Sequence, residues 1–315
     1  MAGQAQFTHI HCSSRFDRSA ASLEADMDDW MAHSSLITVT EVRRDQKAAT
    51  LREAGWAHYN SPLGNNADDC AIAWKTSTWH RKDAFVRKLS SVRYVRALAN
   101  KPGPPTYACN AVLKHVVTDQ TLLVSVTHMP AHLEGHWAHP GTDAWRARKQ
   151  AYTDAMHGWS NLVLALERRY RPAGVLVVAD WNLNLKEQWV RDYMAGHWTK
   201  AGLRRAWVHF PTAGGSLGGN RIIDGSYYGG LSVTGGPDLM PRVRSSDHRP
   251  YSESFKMVGG LKLGSVTAAD PATGNLGKGV EWWGFGDYAF DEMFEKVSVT
   301  EEGTVVTFDF DTPPY

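Results

Sequence analysis

The chain has 315 residues, 43% of them hydrophobic and 21% charged, with a formal net charge of +1 at pH 7. That composition is ordinary for one large or two small globular domains, and the near-neutral balance excludes a molecule whose whole field attracts nucleic acid. The absence of a long apolar run, of a basic-then-apolar leader in Met1 to Gln6, and of a disulfide pattern among Cys12, Cys70 and Cys109 points to a cytoplasmic protein with no membrane span.

Residues 6–12 and 35–42 alternate or run apolar and read as strands. Between them Leu23, Met27, Trp30 and Met31 recur at helical spacing, which predicts a helix over 19–33. Cys70 to Trp74 reads as a core strand. The stretch 80–101 is basic, with Arg81, Lys82, Arg87, Lys88, Arg93, Arg96 and Lys101 against Asp83 alone, and Phe85 and Tyr94 interleaved. It is either a face for a nucleic-acid backbone or an ordinary solvated segment. Tyr107 to Val117 and Leu122 to Thr127 form a hairpin pattern through Thr118-Asp119-Gln120.

His128, His132, His136 and His139 follow. On a helix the first three would share a face and could bind zinc, but Pro130, Gly135 and Pro140 favour a loop bordering a cleft. Residues 142–171 form the longest helical pattern, with Trp145, Ala151, Ala155, Trp159, Leu162 and Leu166 inward and Pro172-Ala173-Gly174 as its stop. Val175 to Ala179 is a strand buried on both faces. A short helix near 186–194 and short strands near 205–210, 221–224 and 250–256 complete an α/β layered sandwich. The glycine-rich run 212–220 lacks the Lys-Ser/Thr of a P-loop and reads as a surface loop. Beyond Met257-Val258-Gly259-Gly260 the composition turns glycine-rich, acidic and aromatic. Two units are expected: a main domain over 1–257 and a β-rich appendage over 258–315, with a hairpin across 297–308.

The chemistry gathers where strands stop. Val175 to Ala179 ends at Asp180 and, two residues on, Asn182. Leu36 to Thr40 ends at Glu41, Leu122 to Thr127 at His128, and Ile222-Ile223 at Asp224, while Asp247-His248 precedes the strand after Pro250. Each has an ordinary reading: an Asx turn, a solvated carboxylate, a histidine bonded to backbone. The recurrence at five strand ends is what points to a shared site. Carboxylates there hold hard cations or take protons, and an amide binds a phosphoryl oxygen.

Five segments carry a family likeness: Thr40-Glu41-Val42, Thr127-His128-Met129-Pro130, Ala179-Asp180-Trp181-Asn182, Arg221-Ile222-Ile223-Asp224 and Ser246-Asp247-His248-Arg249-Pro250. In wording and order they resemble the endonuclease/exonuclease/phosphatase superfamily, the DNase I-like fold, over about residues 7–256. The resemblance implies a four-layer α/β/β/α sandwich and metal-dependent phosphoester hydrolysis. It implies Glu41 as metal ligand with Asp247 a second contact. Asp180 would orient or deprotonate the water or hold a second metal, Asn182 would meet the phosphoryl group, and His248 would bind that group or serve as base. Asp224 would fix the His248 tautomer. His128 would serve the phosphate or the leaving oxygen, with Asp68 or Asp69 orienting it. The chain departs from the family at its first strand, where an asparagine is usual and His9, or His11, stands here.

The expected function is hydrolysis of DNA or RNA phosphodiesters with Mg2+, or Mn2+. Arg81, Arg87, Lys88 and Arg249 are the candidate substrate contacts, together with Arg242 and Arg244 near the closing motif. Two alternatives stay open: a phosphatase of inositol phosphates, phospholipids or other small phosphoesters, and a non-catalytic component docked to an assembly through residues 258–315.

Overall fold

Side chains alternate along the first strand, β1 (Gln6–Ser13), and so separate two environments. Ile10 and Cys12 pack with Leu23, Met27 and Trp30 of helix α1 (Ala20–His33), whose N-terminus is capped by the Ser19 hydroxyl accepting from the Ser22 amide. Phe7, His9, His11 and Ser13 face the opposite way, into the middle of the molecule. The computed structural model describes residues 3–15, 17–42, 54–61, 69–90, 105–131, 133, 143–206, 215–217, 220–241, 243–261, 263, 296–299 and 306–309.

The chain continues through β2 (Leu36–Thr40), β3 (Trp56–Asn60), β4 (Cys70–Lys75), β5 (Trp79–Ser90), β6 (Thr106–His115) and β7 (Thr121–His128). Helix α2 (Asp143–Tyr170), β8 (Gly174–Asp180), helix α3 (Gln188–Met194), β9 (Arg204–Arg205), β10 (Asp224–Gly229), β11 (Leu231–Leu239) and β12 (Tyr251–Met257) follow. One sheet runs β11-β12-β1-β2-β4-β3 and the other β5-β6-β7-β8-β10-β9. The two sheets face each other, α1 covers the first and α2 the second, which makes a four-layer α/β/β/α sandwich. No helix among the described residues is long and apolar enough to cross a membrane.

Two parallel pairs fix the direction of the functional edge. β1 pairs β2 in parallel, and β7 pairs β8 in parallel with His128 opposite Asp180. The strands beside them run antiparallel, so the rim that collects the ends of β1, β2, β7 and β8 also collects the starts of β4, β10 and β12.

The layer between the sheets changes character along its length. Far from the rim it is apolar, with Phe7, Leu36, Trp79 and Phe255 in contact. Toward the rim the inward positions become His9, His11, Ser13, Thr38, Thr40, Asp224, Ser226 and Glu253, all buried. Polar side chains survive there because they bond to one another. On the outer face of the second sheet α2 comes so close that a Cβ on Gly158 would lie 2.3 Å from the Leu89 carbonyl oxygen. Trp145 stays half-exposed beneath Lys149 while Arg148 and Tyr152 are buried in its place.

Several elements differ from the sequence expectation. β3 and β11 carry no clean apolar alternation and are absent from it. The start of the basic stretch is β5, a 12-residue strand along one sheet edge. Asp224 does not end a strand over 221–224; it is the first residue of β10. The strand expected over 205–210 is described only as Arg204–Arg205. Thr212 to Gly214, Arg93, Tyr94, Arg96, Lys101, Asp68, His132, His136, His139 and Arg242 lie outside the described residues. In the expected appendage β13 (Lys296–Val299) pairs antiparallel with β14 (Val306–Asp309), Val297 opposite Phe308.

Candidate active site

Strand pairing brings the chemistry together before any side chain is considered. His128 lies opposite Asp180 on β7 and β8, and Asp180 opposite Asp224 on β8 and β10. Glu41 follows the last residue of β2, and Thr40 pairs Cys70, whose neighbour Asp69 sits at the same level.

Two carboxylate–histidine pairs stand at this rim. His128 Nδ1 is 2.6 Å from Asp69 Oδ2, and its Nε2 is 3.6 Å from Glu41 and 3.7 Å from Asp180. His248 Nδ1 is 2.8 Å from Asp224 Oδ2, and its backbone amide donates to Ser246 Oγ at 2.8 Å. Asp224 is held on its other oxygen by the Ser13 hydroxyl at 2.8 Å. Its amide and that of Ile223 both donate to Ser216 Oγ. Ser216 is fully buried and its carbonyl accepts from the Arg249 amide, so this part of the glycine-rich run builds the site and is no surface loop.

Asp180, 1% exposed, accepts the Asn182 amide on Oδ1 at 2.9 Å. The Asx turn is therefore present, and it leaves Asp180 beside Glu41 and His248. Asn182 Nδ2 donates to the Met129 carbonyl at 2.8 Å, which fixes the amide beside His128. Glu41 and Asn182 adopt left-handed backbone, φ 57° and 53°. Non-glycine residues rarely do so, and the strain is concentrated at functional sites.

Charge at the site is displaced in opposite directions. Burial lifts the Glu41 carboxyl to about 7, His128 opposing and Asp180 and Asp69 adding to the rise. Burial, with Asp224 adjacent, also raises Asp180. Burial alone would lower His128, but Asp69, Glu41 and Asp180 outweigh it and carry the imidazole to about 10. His248 likewise reaches about 10, with Asp224 overcoming its burial. Asp224 is the exception among the carboxyls: burial would raise it, and the facing His248 and His11 bring it well below the usual range.

One ligand atom from each of Glu41, Asp180 and His248 lies within 4.8 Å of the others. Two carboxylates that burial and mutual repulsion drive toward protonation fit a divalent cation, which relieves that repulsion and takes oxygen donors readily. Among the described residues this is the one such group.

Other expected residues stand elsewhere. His9 is deep in the inter-sheet layer with both ring nitrogens bonded, to Glu253 and Thr38, so it is not placed to bind phosphate. Closer to the rim on the same face stand His11 and Ser13, and Ser13 is the residue that reaches Asp224. The Asp247 side chain is 47% exposed and turned to Arg15 at 3.6 Å, outside the cluster. Arg249 donates through Nε and Nη2 to the Met240 and Leu239 carbonyls, so it ties β11 to β12. Arg81 pairs with Leu113 at the end of β5 remote from the rim, whereas Arg87 and Lys88 pair with Ala108 and Tyr107 at the near end. Ser13 and Ser216 carry no signal in the sequence that points to this cluster, since serine on a strand or loop has no distinguishing pattern, whereas Ser246 stands in the closing motif without an expected role of its own.

Comparison with solved structures settles the architecture. A Bacteroides thetaiotaomicron endonuclease/exonuclease/phosphatase family protein matches 81% of this chain and 98% of its own, at TM-score 0.59 and 13% identity. The fold is that of the endonuclease/exonuclease/phosphatase proteins. A mannosyl-6-phosphatase from the same organism shares this fold over 79% of the chain and 98% of its own, at TM-score 0.57 and 14% identity. TDP2 from D. rerio, complexed with single strand DNA product, shares the endonuclease/exonuclease/phosphatase fold over 80% of the chain and 99% of its own, at TM-score 0.55 and 11% identity. No protein-family model matches the sequence, and no curated protein matches it.

Proposed function

We propose that the protein is a metal-dependent phosphodiesterase that hydrolyses nucleic acid. The observation that carries this reading is the convergence of Glu41, Asp180 and His248 within 4.8 Å, flanked by His128 on Asp69. Phosphodiester hydrolysis needs an aligned water, relief of charge on the phosphoryl oxygens and a proton for the leaving oxygen. The rim offers a group for each need.

Glu41 and Asp180 would hold the cation, Mg2+ or Mn2+. Bound there, the cation supplies Lewis acidity and an acidified water. Asp180 orients the attacking water. His248, kept protonated by Asp224, donates Nε2–H to a phosphoryl oxygen. Asn182 Nδ2 has one hydrogen on Met129 and a second to donate to a phosphoryl oxygen as charge develops there. His128, kept protonated by Asp69, gives its proton to the leaving oxygen.

Nucleic acid is favoured over a small phosphoester by the basic end of β5. Arg87 and Lys88 lie on the strand pair leading to His128. TDP2, on the same fold, is complexed with single strand DNA product. The second reading, a phosphatase of small phosphoesters, draws on the mannosyl-6-phosphatase that shares the fold. Incubating the protein with plasmid DNA, RNA and a phosphomonoester panel, with Mg2+, Mn2+ or EDTA, separates them. Metal-dependent chain cleavage is the expected result. Release of inorganic phosphate from small substrates, with DNA and RNA intact, gives the second reading.

A further inference from the structure

One residue at the end of β1 reaches both members of the Asp224–His248 pair. The Ser13 hydroxyl donates to Asp224 Oδ1 at 2.8 Å, and the Ser13 carbonyl accepts from the Ser246 hydroxyl. Ser246 Oγ accepts the His248 amide at 2.8 Å, and His248 Nδ1 returns to Asp224 Oδ2 at 2.8 Å. These four hydrogen bonds close a ring that passes through Ser13, Asp224, His248 and Ser246. The ring spans both sheets, since Ser13 belongs to β1 and Asp224 to β10. All four residues are buried.

The supply of hydrogens sets the direction of these bonds. A carboxylate only accepts, so the single hydrogen of the Ser13 hydroxyl lies on Asp224. Ser13 Oγ also stands 2.6 Å from Thr40 Oγ1, and that contact must take its hydrogen from Thr40. Thr40 is buried, lies opposite Ser13 in the β1–β2 register and immediately precedes Glu41. Its carbonyl accepts the Ser14 amide at 2.8 Å, which fixes the two strand ends together. The Ser13 hydroxyl therefore has one donor behind it and one acceptor ahead of it, and a single orientation.

We infer that Ser13 is a positioning residue that fixes both members of the pair, Asp224 through its hydroxyl and His248 through its carbonyl and Ser246, with Thr40 orienting the hydroxyl. Asp224 and His248 come from different elements, one in the second sheet and one in the turn before β12 of the first. Their 2.8 Å contact depends on how those elements are held against each other, and the ring holds them at the contact itself. Without the Ser13 hydroxyl, Oδ1 of Asp224 loses that donor. His11 Nε2, at 3.6 Å, is beyond hydrogen-bond reach of the same oxygen. A buried carboxylate with one oxygen unsatisfied turns to recover a donor, and the turn takes Oδ2 off His248. A tie between sheets with no other role would move stability and leave turnover alone. The effect on turnover rests on the proposed activity, whereas the geometry of the ring does not.

The test follows hydrolysis and the His248 ring signals of the full chain, labelled with 15N-histidine, in wild type, Ser13→Ala, Asp224→Asn and the double variant. In Ser13→Ala kcat should fall about tenfold at constant KM, with the circular dichroism of the wild type. In the Asp224→Asn background the same substitution should change kcat by less than about twofold, because its route to the site is already cut. The His248 Nδ1–H signal should exchange with water faster in Ser13→Ala. Ser246→Ala opens the ring at its other link and should give the same faster exchange, and it carries the test should Ser13→Ala not fold. A wild-type kcat in Ser13→Ala, an undiminished loss in the Asp224→Asn background, or an unchanged His248 signal overturns the positioning role. A wild-type protein that cleaves no phosphoester counts against the proposed function alone, since the His248 exchange is read without turnover.

Discussion

His248 Nδ1 lies 2.8 Å from Oδ2 of Asp224, and both side chains are almost wholly buried. The pair joins the first residue of β10 to the turn before β12, two strands in different sheets. A carboxylate in that position sets the tautomer of the imidazole and stabilises its cation. Asp224→Asn should therefore lower turnover by about 10²–10⁴-fold with the fold intact. Steady-state kinetics with circular dichroism on the same sample checks this.

The two raised histidines also make stability depend on pH. Their folded values, about 10, exceed the ordinary 6.5, so the stabilisation is complete below about pH 6.5 and is lost as pH rises through about 10. Thermal melts from about pH 7 to about pH 10.5 should show the midpoint falling over that window. Asp69→Asn and Asp224→Asn should each flatten the fall; a wild-type slope in both would contradict the assignment.

Glu41 behaves in the opposite chemical sense with the same sign. Its folded value of about 7 lies above the ordinary 4.5, so its contribution is present below 4.5 and lost as pH rises through 7. Mg2+ or Mn2+ should restore stability at about pH 8, and much less at about pH 5, where the protons already neutralise the carboxyls. Glu41→Gln should be the more stable protein without metal and should lose the metal-induced rise. Melting temperatures with and without metal decide it.

Gly158 is required by a close approach, not by function. An Ala there places its Cβ against the Leu89 backbone, and neither helix nor strand can yield cheaply. Gly158→Ala should cost about 1–3 kcal/mol in denaturant titration while leaving kcat/KM near wild type at low temperature.

The ends of β5 should differ. Arg87→Ala with Lys88→Ala should raise KM for nucleic acid and flatten its salt dependence, because those residues sit toward the rim. Arg81→Ala with Lys82→Ala, toward the remote end, should change little. Equal losses from both pairs would spread the substrate along the whole strand.

The parallel core is legible because strands buried on both faces are written as continuous apolar runs, and the runs of β2, β7 and β8 stop on a side chain of the candidate site. Val175 to Asp180 is the plainest case. The edge strands are not legible. β5 alternates charge with aromatic and aliphatic residues, so its sequence signals a basic segment before it signals a strand. Asp224 stands out in the sequence for the wrong reason: the apolar Ile222-Ile223 before it is a buried loop, and the strand begins where the apolar pattern ends. Only family likeness draws His9 toward the site. A shift of two along a strand keeps the face but moves a side chain about 6.6 Å along it, enough to take it from the rim into the core. Asp247 shows the complementary limit, since adjacency to His248 in sequence says nothing about which way a turn residue points.

Nucleic-acid hydrolysis by wild type, Asp180→Ala and His248→Ala in Mg2+ and in EDTA tests the proposed centre most directly. The wild type should cleave only with metal, and either substitution should abolish cleavage. Wild-type cleavage in EDTA, or cleavage that survives both substitutions, would contradict a metal-dependent centre built on Glu41, Asp180 and His248.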